Sequence, residues 1–103
     1  MTEERTWPPA DVELFDAGHG VFWSKYVDST EAWIGILHWH YCQDPERLTP
    51  NGIHFDTAQH LPPEYPRWTV VNPEPAALTL SPSVLCRTCG AHGYFTNGQW
   101  VPV

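Results

Sequence analysis

The chain has 103 residues, 42% of them hydrophobic, and its five Lys and Arg against 12 Asp and Glu give a formal net charge of −7. This length supports one domain. The basic residues are few and far apart, whereas a nucleic-acid backbone is held by clustered Lys and Arg, so we expect no nucleic-acid partner. The 11 Pro are about twice the usual share, and 14% of the residues are aromatic. This composition predicts a core of a few large aromatic side chains held between many turns.

The sequence shows no targeting signal. Residues 1–5 are acidic and precede Trp7-Pro8-Pro9, which is unlike a signal peptide. No apolar stretch approaches the ~20 residues that span a bilayer, so we expect no membrane contact. Three Cys in a chain without an export signal favour metal binding or catalysis over disulfides. We therefore expect a cytoplasmic protein.

The chain begins with a segment that differs from the rest. Residues 1–14 are charged and interrupted by Pro, which predicts an N-terminal arm, and we expect residues 15–103 to form a single β domain. Residues 12–15 predict one helical turn, which the Gly residues at 18 and 20 end quickly.

Strands are predicted next. Residues 21–27 are rich in aromatic and β-branched side chains, and turn-forming residues separate them from 32–41, so we expect strand, turn and strand. Residues 43–66 contain five Pro, which predicts a long loop with at most a short strand at 53–55.

The C-terminal third predicts further strands. Residues 67–71 and 77–80 are strand-like, with a Pro-containing turn between them. Asn97-Gly98 lies between two short aromatic segments and predicts a hairpin with a type I′ turn. The predicted fold class is therefore mainly β, a small antiparallel sheet with long Pro-rich loops.

Two clusters of His and Cys predict a metal site. Alternate residues of a strand share a face, so the 38–42 segment places His, His and Cys on one side. Residues 86–92 contain a C-x2-C knuckle followed by a His. A structural Zn²⁺ takes four N or S ligands, commonly from two short pairs. The predicted ligands are His40, Cys42, Cys86 and Cys89, with His92 and His38 as alternatives for the histidine position. We therefore expect residues 15–103 to be a single zinc-binding β domain whose small sheet is stabilised by zinc.

The sequence favours no catalytic residue. A redox C-x2-C motif works at a helix N-terminus, but Gly90 and an aromatic hairpin follow this one. Phosphate loops, G-x-S-x-G and H-E-x-x-H do not occur, and no carboxylate pair resembles a protease or glycosidase couple. A catalytic zinc also needs an open position beside a general acid or base, and the spacing selects neither Glu74 nor Asp56 for that role. We therefore expect no enzyme.

The C-terminal run 78–100 resembles a known family. Its T-L-S-P-S segment at 79–83, its Cys and His cluster and its N-G-x-W at 97–100 are similar to small zinc-binding proteins of tailed phages, especially phages of actinobacteria. The resemblance implies a phage-encoded zinc-binding β domain and supplies no activity. In some relatives the C-terminal ligands look like Cys-x2-His, which here implies Cys89 and His92.

These observations lead to a functional hypothesis. We expect a non-enzymatic phage protein, cytoplasmic in a host cell, that binds a host or phage protein through aromatic and acidic surface. The alternatives are a virion component of capsid or tail, and a metal-dependent enzyme. The oligomeric state stays open.

Overall fold

The structure is a computed structural model that describes residues 12–57 and 64–103. This part of the chain is mainly β, as predicted, and contains no α-helix. The predicted arm, residues 1–14, lies outside the described residues up to Asp11, so the division into arm and domain stays a prediction. Among the described residues, no helix is long and apolar enough to cross a membrane.

Within residues 12–57 and 64–103, nine strands form three antiparallel sheets. The strands are β1 (Phe15–Gly18), β2 (Val21–Val27), β3 (Trp33–Tyr41), β4 (Leu48–His54), β5 (Thr69–Asn72), β6 (Thr79–Ser81), β7 (Val84–Leu85), β8 (His92–Thr96) and β9 (Gln99–Pro102). The sheet orders are β1-β2-β3-β4, β5-β6 and β7-β8-β9, and a short 3-10 helix, Pro75–Ala77, precedes β6. The strands predicted at 67–71 and 77–80 are present as β5 and β6.

The first hairpins show one confirmed and one wrong prediction. β2 and β3 lie where predicted, and the turn between them is held by the Asp28 carboxylate, which accepts from the Thr30 N–H at 2.8 Å. The helical turn predicted at 12–15 is wrong, because Phe15 begins β1 and pairs with Trp23 of β2. The two rings stack with centroids 4.3 Å apart, and this contact from outside the segment decides its conformation.

The Pro-rich region contains more regular structure than its sequence predicts. β4 runs over seven residues and pairs with β3 from Gly35↔His54 to Tyr41↔Leu48. Pro50 lies within this strand, opposite Trp39. β4 is the edge strand of its sheet, where a missing N–H costs no ladder hydrogen bond. The prediction of a short strand at 53–55 alone was therefore wrong.

The C-terminal hairpin is confirmed. Asn97 and Gly98 connect β8 to β9 with φ values of 53° and 77°, which are those of a type I′ turn. The Gly98 N–H donates to the Leu78 carbonyl at 2.9 Å, and a side chain at 98 would collide with the Ala76 backbone. The turn therefore fixes the hairpin against the segment before β6.

One core lies between the sheets and is rich in large aromatic rings, as the composition predicts. β1 contacts β9 and β6 contacts β8, so both of the other sheets pack against the β7-β8-β9 sheet. The core residues are Ala17, Val21, Trp23, Ile36, Ile53, Phe55, Leu78, Leu80, Val84, Phe95 and Trp100. The β7-β8-β9 sheet therefore rests on the core through one face and leaves the other face to solvent.

Candidate metal centre and Ser-His pair

Four residues from two distant segments converge at one point. The donor atoms of His40, Cys42, Cys86 and Cys89 all lie within 4.8 Å of one another, close enough to hold a metal ion. His40 lies in β3 and Cys42 just beyond its end. The other two ligands come from the turn between β7 and β8, which two backbone hydrogen bonds close: Gly90 N–H to the Cys86 carbonyl and Cys86 N–H to the Ala91 carbonyl, each 2.8 Å.

The distances fit a tetrahedral zinc site. With Zn–S of about 2.3 Å and Zn–N of about 2.0–2.1 Å, the edges of a tetrahedron are about 3.8 Å between two sulfurs and about 3.5 Å between sulfur and nitrogen. The Cys42 and Cys86 sulfurs are 3.8 Å apart, and Cys89 Sγ is 3.4 Å from His40 Nε2. All three thiols are free of disulfides. The residues present therefore fit zinc in number, type and spacing.

The thiols also influence one another's ionisation. Burial and the neighbouring thiols raise the pKa of Cys42 to about 12. Burial acts to raise the pKa of Cys86 as well, but hydrogen bonds from the Asn51 side chain and from the backbone of Cys89 and Thr88 lower it to about 5. One thiolate therefore forms readily, and its charge opposes ionisation of the next. A bound cation removes this opposition.

His38, an alternative ligand, lies outside the group of four. Its ring is fully buried and stacks on the rings of His40 and Trp100, with centroids 4.5 and 4.8 Å away. Burial and the neighbouring His40 lower the pKa of His38 to about 3, so its imidazole is neutral at neutral pH. It supports the ring of His40 from the core side.

His92, the other alternative, is directed at a serine. Its Nε2 lies 2.9 Å from the Ser83 hydroxyl oxygen, which is within the distance of a nucleophile and its general base. Both side chains are half-buried, so they reach solvent. The Trp68 indole N–H donates to the Ser83 carbonyl at 3.2 Å and holds the serine backbone.

Sequence analysis missed this Ser-His pair. Ser83 and His92 are nine residues apart and meet because β7 pairs with β8, with Leu85 opposite His92. A motif of consecutive residues cannot predict such a contact between two strands. The available signal was that both residues fall within the 78–100 run, on either side of the C-x2-C knuckle.

The metal centre and the Ser-His pair share one turn. Ser83 is three residues before Cys86, and His92 is three residues after Cys89. The turn that carries two metal ligands therefore joins the segment of the serine to the strand of the histidine. A metal ion held there would restrain how β7 lies on β8, and so would restrain the distance between the two side chains.

The fold and the site together define a small β domain in which four residues placed to hold a metal ion lie on the same turn as a Ser-His pair. Residues 26–103 match the BubE family, described as a bacterial ubiquitination-like system serine protease, and the chain belongs to that family. No protein of curated function and no solved structure matches the chain.

The family corrects the functional predictions from sequence. A non-enzymatic phage protein was expected, with a virion component and a metal-dependent enzyme as alternatives, but the matching family is bacterial and is described as a serine protease. The phage resemblance finds no support in this match. The error had a physical cause, because serine protease sites are recognised by the geometry of their side chains and not by sequence position.

Proposed function

We propose that this protein is a serine protease of a bacterial ubiquitination-like system, with Ser83 as nucleophile and His92 as general base. The observation that carries the proposal is the 2.9 Å contact between Ser83 Oγ and His92 Nε2 in a chain of the BubE family. Serine hydroxyls are weak nucleophiles until an adjacent base accepts their proton, and this contact supplies such a base.

The reaction follows from this geometry. In the tautomer with hydrogen on Nδ1, Nε2 of His92 accepts the Ser83 hydroxyl hydrogen. As Oγ attacks the scissile carbonyl carbon, the proton passes to Nε2, and His92 then returns it to the leaving amine as the peptide bond breaks. Water, activated by the same imidazole, hydrolyses the acyl-enzyme ester and regenerates the serine.

Trp68 positions the nucleophile. Its indole hydrogen bond to the Ser83 carbonyl fixes the backbone from which Oγ projects. Holding reacting groups in the attack geometry is worth several orders of magnitude in rate, and displacement of one group by about 1 Å can cost about 10²-fold. We assign Trp68 as a positioning residue.

The metal in this proposal is zinc, and its role is structural. His40, Cys42, Cys86 and Cys89 supply the four donors of a tetrahedral site, which closes it to water and substrate. Zinc bound there holds the turn between β7 and β8 and takes no part in proton transfer.

The partner in this proposal is a protein substrate. The chain carries a net charge of −7, which opposes contact with nucleic acid. We place the protein in the cytoplasm, because three free thiols at a metal site suit a reducing compartment.

Hydrolysis of a pool of fluorescence-quenched peptides tests the proposal. Ser83→Ala is expected to lower the initial rate by at least about 10³-fold, since it removes the nucleophile. Ser81→Ala is the matched control, because Ser81 is an exposed serine of the same 79–83 segment, and it is expected to retain the rate. Equal rates for Ser83→Ala and the parent protein would reject Ser83 as nucleophile.

A further inference from the structure

The solvent-facing side of the β7-β8-β9 sheet surrounds the candidate base. Cross-strand pairing places Leu85 beside His92, and the Val103 N–H donates to the His92 carbonyl at 2.9 Å on the opposite side. Tyr94 is two residues along β8 on the same face and pairs with Val101 of β9. His92 therefore lies in the middle of this face.

The residues around His92 are apolar and exposed. The exposed fractions are 52% for Leu85, 45% for Tyr94, 45% for Val101 and 74% for Val103. We call these four residues the outer face. The opposite side of the same strands is apolar too, since Val84, Phe95 and Trp100 are buried in the core.

This sheet departs from the usual alternation. An antiparallel sheet with one solvated side normally turns polar residues outward. Contiguous exposed apolar residues on a small domain mark a binding surface. Here they are continuous with the Ser-His pair, so the ligand that covers them also reaches Ser83.

The position of β7 and the charge of the chain specify the ligand further. β7 is the edge strand of its sheet within the described residues, so an extended polypeptide can lie alongside it. The chain has 12 acidic and five basic side chains, so its field attracts positive charge.

We propose that the outer face is the substrate-binding surface and takes an extended apolar segment of a protein substrate, flanked by basic residues. This inference rests on the proposed protease function and names its substrate class. Apolar side chains of the segment cover Leu85, Tyr94 and Val101, and the scissile carbonyl lies at Ser83.

Binding to the inactive Ser83→Ala protein tests the surface separately from catalysis. Three labelled peptides of equal length are compared by fluorescence anisotropy: an apolar peptide with Lys at both ends, the same peptide with Glu at both ends, and a Lys-ended peptide with Ser and Gln inside. The apolar Lys-ended peptide is expected to bind at least about tenfold more tightly than either of the others. Equal affinities for all three peptides would overturn the inference.

Substitutions map the binding to the outer face. Leu85→Thr and Val101→Thr keep strand-compatible side chains and remove apolar surface, and each is expected to weaken binding about fivefold. Val71→Thr is the control, because Val71 is apolar and even more exposed (64%) but lies on β5, in another sheet, and it is expected to leave binding unchanged. Comparable weakening by all three substitutions, with thermal unfolding unchanged, would contradict the assignment.

Cleavage by the parent protein separates the two proposals. If Ser83-dependent cleavage is equally fast for all three peptides, the protease function stands and the outer face is rejected as the substrate-binding surface. If the apolar peptide binds at the outer face and is never cleaved, the surface stands as a binding site and the protease function fails.

Discussion

Removal of the metal is expected to unfold the domain and abolish hydrolysis together. The four donors join the end of β3 to the turn between β7 and β8, and the Cys42–Cys86 contact spans 44 residues of chain. The same turn sets Ser83 against His92. Metal loss would therefore remove a long-range cross-link and the support of the proposed Ser83-His92 pair in one step.

The magnitude follows from the length of chain that the metal closes. For a cross-link around 44 residues, the loop-closure relation gives about 4 kcal/mol at 25 °C. Structural zinc sites bind with about 10–16 kcal/mol, which matches or exceeds the whole stability of a small domain, about 5–15 kcal/mol. At about 4–8 °C per kcal/mol, the cross-link alone corresponds to a fall in Tm of at least about 16 °C.

Tryptophan fluorescence during heating measures the effect, since the chain has six Trp and several are buried. A zinc-selective chelator is expected to lower Tm by at least about 16 °C and to stop peptide hydrolysis, and added Zn²⁺ to restore both. His40→Asn removes one ligand and is expected to act in the same direction. His19→Asn is its control, because His19 is exposed with φ 56°, a conformation that Asn tolerates. An unchanged Tm after complete metal removal would refute the structural role.

Two further substitutions test the packing and the positioning of the site. Gly93→Ala is expected to lower the free energy of unfolding in urea by about 1–3 kcal/mol, because its Cβ would lie 2.7 Å from Trp100 Cζ2 and 2.7 Å from the Val101 carbonyl oxygen. Gly52→Ala serves as control, since its Cβ meets only His54 Cε1 at 3.6 Å. Equal losses of stability in the two variants would contradict the packing argument. Trp68→Phe removes the hydrogen bond to the Ser83 carbonyl and is expected to lower kcat about three- to tenfold with KM nearly unchanged, measured well below the Tm. The Tm itself is expected to fall by about 4–8 °C, because Trp68 also packs against the core. An unchanged kcat in Trp68→Phe would show that Trp68 does not position Ser83.

Local signals were sufficient for much of the fold. β2, β3 and the Asn97-Gly98 hairpin follow from side-chain types and turn residues that act within a few positions of one another. β1 and β4 required tertiary information. Phe15 is extended because its ring stacks on Trp23, and Pro50 fits within β4 because that strand lies at a sheet edge. Neither contact can be predicted from the neighbouring residues in the sequence.

The candidate site likewise contains residues that local spacing predicts and residues that only the tertiary structure brings together. Cysteine and histidine spacing pointed to the residues that the structure brings within 4.8 Å of one another, because metal ligands come in short recurring pairs. Ser83 and His92 left no comparable pattern. Ser83 follows a proline in a segment typical of turns, and the position of His92 beside the C-x2-C knuckle suggested only a metal ligand. The contact between the two side chains exists only when β7 lies on β8.

Covalent labelling shows whether Ser83 is an activated nucleophile. A fluorophosphonate reacts with a serine whose hydroxyl proton is removed by a neighbouring base, and peptide mass spectrometry then locates the modified residue. We expect one adduct per chain, on Ser83, which is retained in Ser81→Ala, forms much more slowly in His92→Asn and is lost in Ser83→Ala. An adduct on another serine, or no adduct on the folded zinc-loaded protein, would contradict it.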